Sequence, residues 1–138
     1  MGAIQDCVEY IETAVKNEIT LSGTHAFPTE NQGTDLFARL FEESAEFEGR
    51  SADWAQSFHV VGCYILGAQS NMFEVYKKLE GELENVCITL LKNPTLGGKC
   101  DTFTGVGYAT ASIELAGVRY TGYKLTVSGI KIARSLTA

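Results

Sequence analysis

Two histidines, four cysteines and a run of acids are the side chains here with chemistry to offer, and their spacing argues against most of it. His25 falls in a turn-rich stretch and His59 in an extended one, so neither has the H-x3-H or E-x-x-H partner that puts two metal ligands on one helical face. Cys7, Cys63, Cys87 and Cys100 are too widely and irregularly placed for a zinc ribbon or a CxxC redox motif. Each stands where an apolar side chain would serve, which reads them as reduced thiols used as small hydrophobes. Ser22, Ser44, Ser57, Ser70 and Ser112 lack the G-x-S-x-G setting of a nucleophile elbow, and no cysteine sits in a nucleophile motif. Glu42, Glu43, Glu46 and Glu48 make the densest acidic group. Paired carboxylates can run acid/base chemistry, but a run of this kind reads as a solvated face, or as an electrostatic docking surface ahead of catalysis. No catalytic residue, metal ligand or cofactor is assigned.

The elements that would position these groups follow from hydrophobic periodicity. Residues 3–16 carry Ile4, Cys7, Val8, Ile11, Ala14 and Val15 at helical spacing, with Gln5, Asp6, Glu9, Glu12, Thr13 and Lys16 on the other side. Residues 22–35 (SGTHAFPTENQGTD) are dense in turn formers and include Pro28, giving a long loop of the kind that is often functional. Ile19 to Leu21 is too short to settle as a strand. Residues 36–47 have helical propensity but are followed, after a polar loop containing Gly49, by the strand-like run 54–66 (WAQSFHVVGCYIL). There Phe58, Val60, Gly62, Tyr64 and Leu66 point one way, and His59, Val61, Cys63 and Ile65 the other. An antiparallel hairpin is the expectation, with 36–47 as its first strand.

The clearest element comes next. Asn71 and Glu74 have capping-box spacing, and Met72, Val75, Tyr76, Leu79, Leu83, Val86, Cys87, Leu90 and Leu91 form an apolar stripe on a long helix, with Glu74 and Lys78 as an i, i+4 pair. The helix runs into LLKNPTLGGKC. Pro94 cannot continue it and pushes Asn93 out of the α region, while Gly97 and Gly98 permit backbone angles closed to other residues. This reads as a sharp reversal from helix to sheet. A phosphate-binding loop would have the strand before the glycines and the helix after them, the opposite order. Residues 102–115 and 118–133 are rich in Val, Ile, Tyr and Thr, with Gly129 as a candidate bulge. The order helix, hairpin, long helix, hairpin describes an α+β domain: a mainly antiparallel sheet with two helices packed on one face. Trp54, Tyr108, Tyr120 and Tyr123 serve equally as core or as interface anchors.

Composition sets the outer limits. The 138 residues, 45% of them hydrophobic, suit one domain with one core. A formal charge of −6 repels phosphate backbones and anionic lipids, so direct nucleic-acid binding is not expected. No stretch approaches the ~18 apolar residues that span a bilayer. The N-terminus lacks the basic and apolar regions of a secretory signal, and Asp6 stands where a myristoylation signal has Ser or Thr, so synthesis in the cytoplasm is expected.

At Asn93, Pro94, Leu96, Gly97 and Gly98, and in its element order, the sequence resembles the tail terminator (tail completion) proteins of long-tailed bacteriophages and related minor tail proteins, with another neck or tail-tube structural protein, or a small α+β ligand-binding domain, as the alternative readings. The terminators have an N-terminal amphipathic helix, a hairpin, a long helix ending near a D/N-P-x-L-G-G motif, and a closing pair of strands. The resemblance implies a structural protein without enzyme activity or cofactor, located in the virion. It would form a ring, commonly a hexamer, on the head-proximal end of the tail tube, stopping tube polymerisation and meeting the head–tail connector or neck protein. On that reading Phe27, Glu30, Asp35, Glu43, Glu46, Glu48, Arg50 and Trp54 are expected at subunit or tube contacts, and Asn93, Pro94, Leu96, Gly97 and Gly98 form the structural turn.

Overall fold

The computed structural model describes residues 3–19, 37–68, 72–115 and 117–136, with backbone alone for 3, 68, 72–75, 78 and 115. The chain runs α1 (Ala3–Glu18), β1 (Phe37–Gly49), β2 (Trp54–Ala68), α2 (Met72–Leu91), β3 (Gly105–Leu115) and β4 (Val118–Ser135). The 22–35 loop, the Asn71–Glu74 cap and the Glu74–Lys78 pair lie outside the described residues or side chains. The α+β expectation holds: the four strands form one antiparallel sheet in the order β1-β2-β4-β3, with both helices on one face.

Strict alternation decides which side of each strand meets the helices. From the sheet come Ala38 and Leu40 of β1, Val61, Cys63 and Ile65 of β2, and Leu125, Val127, Ile130 and Ile132 of β4. They pack under Cys7, Ile11 and Val15 of α1 and Leu79, Leu83, Val86 and Leu90 of α2. Leu91, placed on the apolar stripe by sequence, is exposed instead. One residue beyond Leu90 is a rotation of about 100°, which carries the side chain off the core-facing side. Phe37, Leu66 and Tyr120 form a second small cluster on the opposite face of the sheet, where Phe37 meets Tyr120 edge-on at 5.2 Å.

The helix stops before Pro94, as expected. Asn93 Nδ2 donates to the Thr89 carbonyl at 3.0 Å, and the amides of Gly98, Lys99 and Cys100 all reach Thr95 O at 2.9–3.1 Å. Three successive residues are left-handed: Leu96 (φ 50°), Gly97 (70°) and Gly98 (85°). Leucine pays roughly 1–2 kcal/mol for that conformation, a cost offset by complete burial of its side chain in the core, worth about 1.5–3 kcal/mol. A Cβ at Gly97 would lie 2.8 Å from Cε2 of Tyr10, so the turn is also the surface on which α1 rests.

Two bulges interrupt the ladders. In β1 the register slips between Glu42 and Ser44, leaving Glu43 as the extra residue opposite Val60 and Val61. In β4 it slips against His59 and Val61, with Gly129 left-handed at φ 66°. This is the conformation a glycine bulge requires, and it bears out the expected bulge at Gly129. Both irregularities fall level with Val60. Beyond them β1, β2 and the end of β4 continue as a three-stranded arm, and from Glu42 to Arg50 every β1-side residue is exposed.

Candidate functional site

The arm has two faces and a tip. One face presents Ser44, Glu46 and Glu48 of β1 beside Gln56 and Phe58 of β2 and Lys131 of β4, and it ends at Trp54, which is 41% exposed. Arg50 folds back over this face. Its guanidinium bonds Gln56 Oε1 at 2.7 and 3.0 Å and pairs with Glu48 at 2.9 Å. Four residues named from the sequence, Glu46, Glu48, Arg50 and Trp54, are thus brought together. The tip itself is closed by hydrogen bonds from the Arg50 and Ser51 amides to Trp54 O, and from the Leu136 amide to Asp53 O. Phe47 lies on the other face, 65% exposed, and Leu136 is 54% exposed beside the tip. Large apolar side chains held out on an arm of mostly charged and polar residues are what an interface core needs before its partner arrives.

Glu43 has a different setting. As the bulged residue it turns to the helix-free face, where its carboxylate meets Lys124 Nζ at 2.5 Å and lies over Gly62, a position where a Cβ would strike it. This hydrogen bond raises the Lys124 pKa above its ordinary value, against the opposing effect of burial. A raised lysine pKa means that the contribution is fully present at neutral pH and fades as pH climbs through the folded-state value. The same lysine lies over the Tyr64 ring, which stacks on Phe41, which in turn carries Arg39. Beside this row a hollow of about 400 Å³ is lined by Tyr64, Lys124, Thr126 and the small residues of β3. Its charged lining residue is already committed to Glu43. Phe27, Glu30 and Asp35 lie outside the described residues.

Sequence reading missed a buried polar chain at the root of the arm. His59, 2% exposed, meets Glu42 Oε2 through Nδ1 at 2.5 Å and Ser57 Oγ through Nε2 at 2.8 Å. Arg134 Nε donates to Ser57 Oγ at 3.0 Å, and Ser57 Oγ also reaches Ile132 O at 3.3 Å. Carboxylate, imidazole and hydroxyl in this order are the parts of an activated serine. Here the hydroxyl is 0% exposed and bonded on every side, so no substrate atom can approach it. The chain acts instead as a clamp joining β1, β2 and β4, with each polar group satisfied. The available signal was a histidine on the buried side of a strand with an acid at matching depth on its neighbour. Glu42→Ala is expected to cost about 1–3 kcal/mol by leaving the His59 nitrogen unpaired, whereas Glu42→Gln, which keeps an acceptor, costs less; urea denaturation of the two variants checks the order.

The tyrosines divide between the two roles left open. Tyr120 is buried, and Tyr123 is held edge-on between Tyr76 at 5.3 Å and the half-exposed Tyr108 at 5.6 Å. Among the described residues no helix is long and apolar enough to cross a membrane. In sequence, no family model and no curated protein matches this chain.

Proposed function

We propose that this protein is a tail terminator of a long-tailed bacteriophage, a structural subunit that forms a ring on the head-proximal end of the tail tube, halts tube growth and receives the head–tail connector. The observation that carries the reading is the three-stranded arm, with Phe47 and Trp54 exposed on opposite faces. A closed ring of identical subunits needs each copy to offer two different surfaces, one for each neighbour, and an arm with two unlike faces, each carrying an exposed aromatic ring, supplies them. The element order α-β-β-α-β-β and the Asn93–Gly98 reversal support the same reading. The acidic balance of the chain suits a lumen through which DNA passes without being gripped.

Light scattering coupled to size exclusion, with negative-stain images of the protein mixed with growing tail tubes, tests the proposal. Rings at one tube end and a halt in elongation are the expected result. A chain that stays monomeric at high concentration and leaves tube length unchanged overturns it. Reversing the charge at Glu46 and Glu48 together is expected to weaken assembly about tenfold or more, through lost electrostatic complementarity. Stability should change by less than about 1 kcal/mol, because both carboxylates are exposed and the Glu48–Arg50 pair is a surface one. Parallel light-scattering and thermal-melt measurements separate the two effects.

A further inference from the structure

Cys7 on α1 and Cys100 after the α2 turn are distant in sequence and joined in space. Both belong to the main core cluster, with the Cys7 sulfur 3.5 Å from the carbonyl oxygen of Lys99, the residue before Cys100. The Cys100 sulfur lies in the same turn, 3.9 Å from the Pro94 carbonyl oxygen, and each thiol is near enough to influence the other's ionisation. Cys63 and Cys87 are differently placed: Cys63 is buried on β2 beneath the helices, and Cys87 is only partly buried at the margin of the core on α2. From this juxtaposition we infer that Cys7 and Cys100 form a disulfide when a small-molecule disulfide is supplied, stapling α1 to the turn that ends α2. The inference is independent of the assembly reading.

The two sulfurs are not equivalent. Cys100 is 8% exposed and Cys7 0%. Burial pushes the Cys7 thiol up to about 12 and raises the Cys100 thiol as well, where neighbouring Cys7 works against the rise. Cys100 is therefore the sulfur that reacts first and Cys7 the one that resolves. With oxidised glutathione as the oxidant, the Cys100 thiolate attacks one sulfur of the glutathione disulfide. A protein–glutathione S–S bond forms and one glutathione leaves as thiolate, taking up a proton. Cys7 then loses its proton to solvent, and its sulfur attacks Cys100 Sγ and expels the second glutathione. Two protein thiols are oxidised, and one glutathione disulfide is reduced to two thiols.

The full chain is incubated with oxidised glutathione, quenched with an alkylating agent under denaturing, non-reducing conditions, and digested. The expected product yields one cross-linked peptide pair, Cys7 with Cys100, with the buried Cys63 recovered alkylated and the more exposed Cys87 recovered alkylated or as its glutathione adduct. Its Tm should rise by roughly 10 °C, because the bridge closes a loop spanning most of the chain. Cys7→Ser should stop at the glutathione adduct on Cys100, and Cys100→Ser should form no bridge and no adduct at Cys7. Full alkylation of both thiols in the wild-type chain after prolonged oxidation overturns the inference. Cross-links scattered among other cysteine pairs, the pattern of an unfolded chain, overturn it as well.

Discussion

Gly122→Ala is expected to lower stability by about 3 kcal/mol and the Tm by roughly 10 °C for a domain of this size. A Cβ built on Gly122 lies 2.1 Å from the carbonyl oxygen of Ile65 and 3.1 Å from Leu66 Cα. Those atoms are the backbone of β2, not the end of a side chain that can swing away. Gly122 sits opposite Leu66 on one side and Ala111 on the other, in the central β2–β4 ladder that joins the two halves of the sheet. Relief requires the strands to part, which loosens the hydrogen bonds around Ile65 and the core beneath them. Gly107→Ala is the control, since nothing lies within 4 Å of its added Cβ. Melting curves followed by circular dichroism decide the matter, and a Gly122→Ala midpoint within about 2 °C of the parent would show that the strands do not approach so closely.

The second large effect concerns association. Joint replacement of Phe47 and Trp54 by alanine is expected to weaken ring or tube binding at least 100-fold, about 2.7 kcal/mol. Buried aromatic anchors at the centre of an interface commonly carry 2 kcal/mol or more each. In the free subunit Phe47 is mostly in solvent, at 65% exposure, and Trp54 partly so, at 41%, so the isolated protein loses less on their removal than the assembly does. Phe47 does touch the His59 ring at 6.1 Å and lies under the Arg134 guanidinium, and a small loss of stability, under about 1 kcal/mol, is therefore expected from this side. Sedimentation of the variant against the parent measures the first quantity and chemical denaturation the second. Unchanged association would remove the arm from the list of contact surfaces, and with it the main support for the assembly proposal.

What the sequence made legible was whatever depended on periodicity. The alternation through 58–66 identifies the faces of β2, and the helical stripe from Leu79 to Leu90 identifies the side of α2 that is buried. Pro94 and the glycine pair mark the reversal because their backbone limits are local. For residues 36–47, propensity and fold disagreed, and tertiary pairing won: β1 is matched to β2 nearly residue for residue. The strand also outruns the expectation, ending at Gly49, because the ladder continues as far as Ala55. Other features were hidden for a physical reason. That Leu96 would take a left-handed conformation does not follow from its type, since only burial in a specific core makes the strain tolerable. The Glu42–His59 contact runs diagonally across the Glu43 bulge, and nothing in the EES triplet signals an extra residue there, whereas Gly129 announces its own. One acidic run was therefore read as a single solvated face, although Glu42 is taken up by the clamp and Glu43 by Lys124, leaving Glu46 and Glu48 outward.

The coincidence of the two bulges at Val60 gives the molecule a seam. On one side of it the helices and the β3 edge set the packing; on the other, β1 and the tip stand clear, while Ile130, Ile132 and the pairing of Lys131 with Asp101 and Thr102 still tie β4 to the base. A projection joined to its base in this way is modular: trimming two residues from each of its strands shortens its reach while every remaining side chain keeps its original face. Reach can then be tuned separately from folding, and a graded series of shortened proteins becomes a molecular ruler for the distance at which the bound neighbour stands.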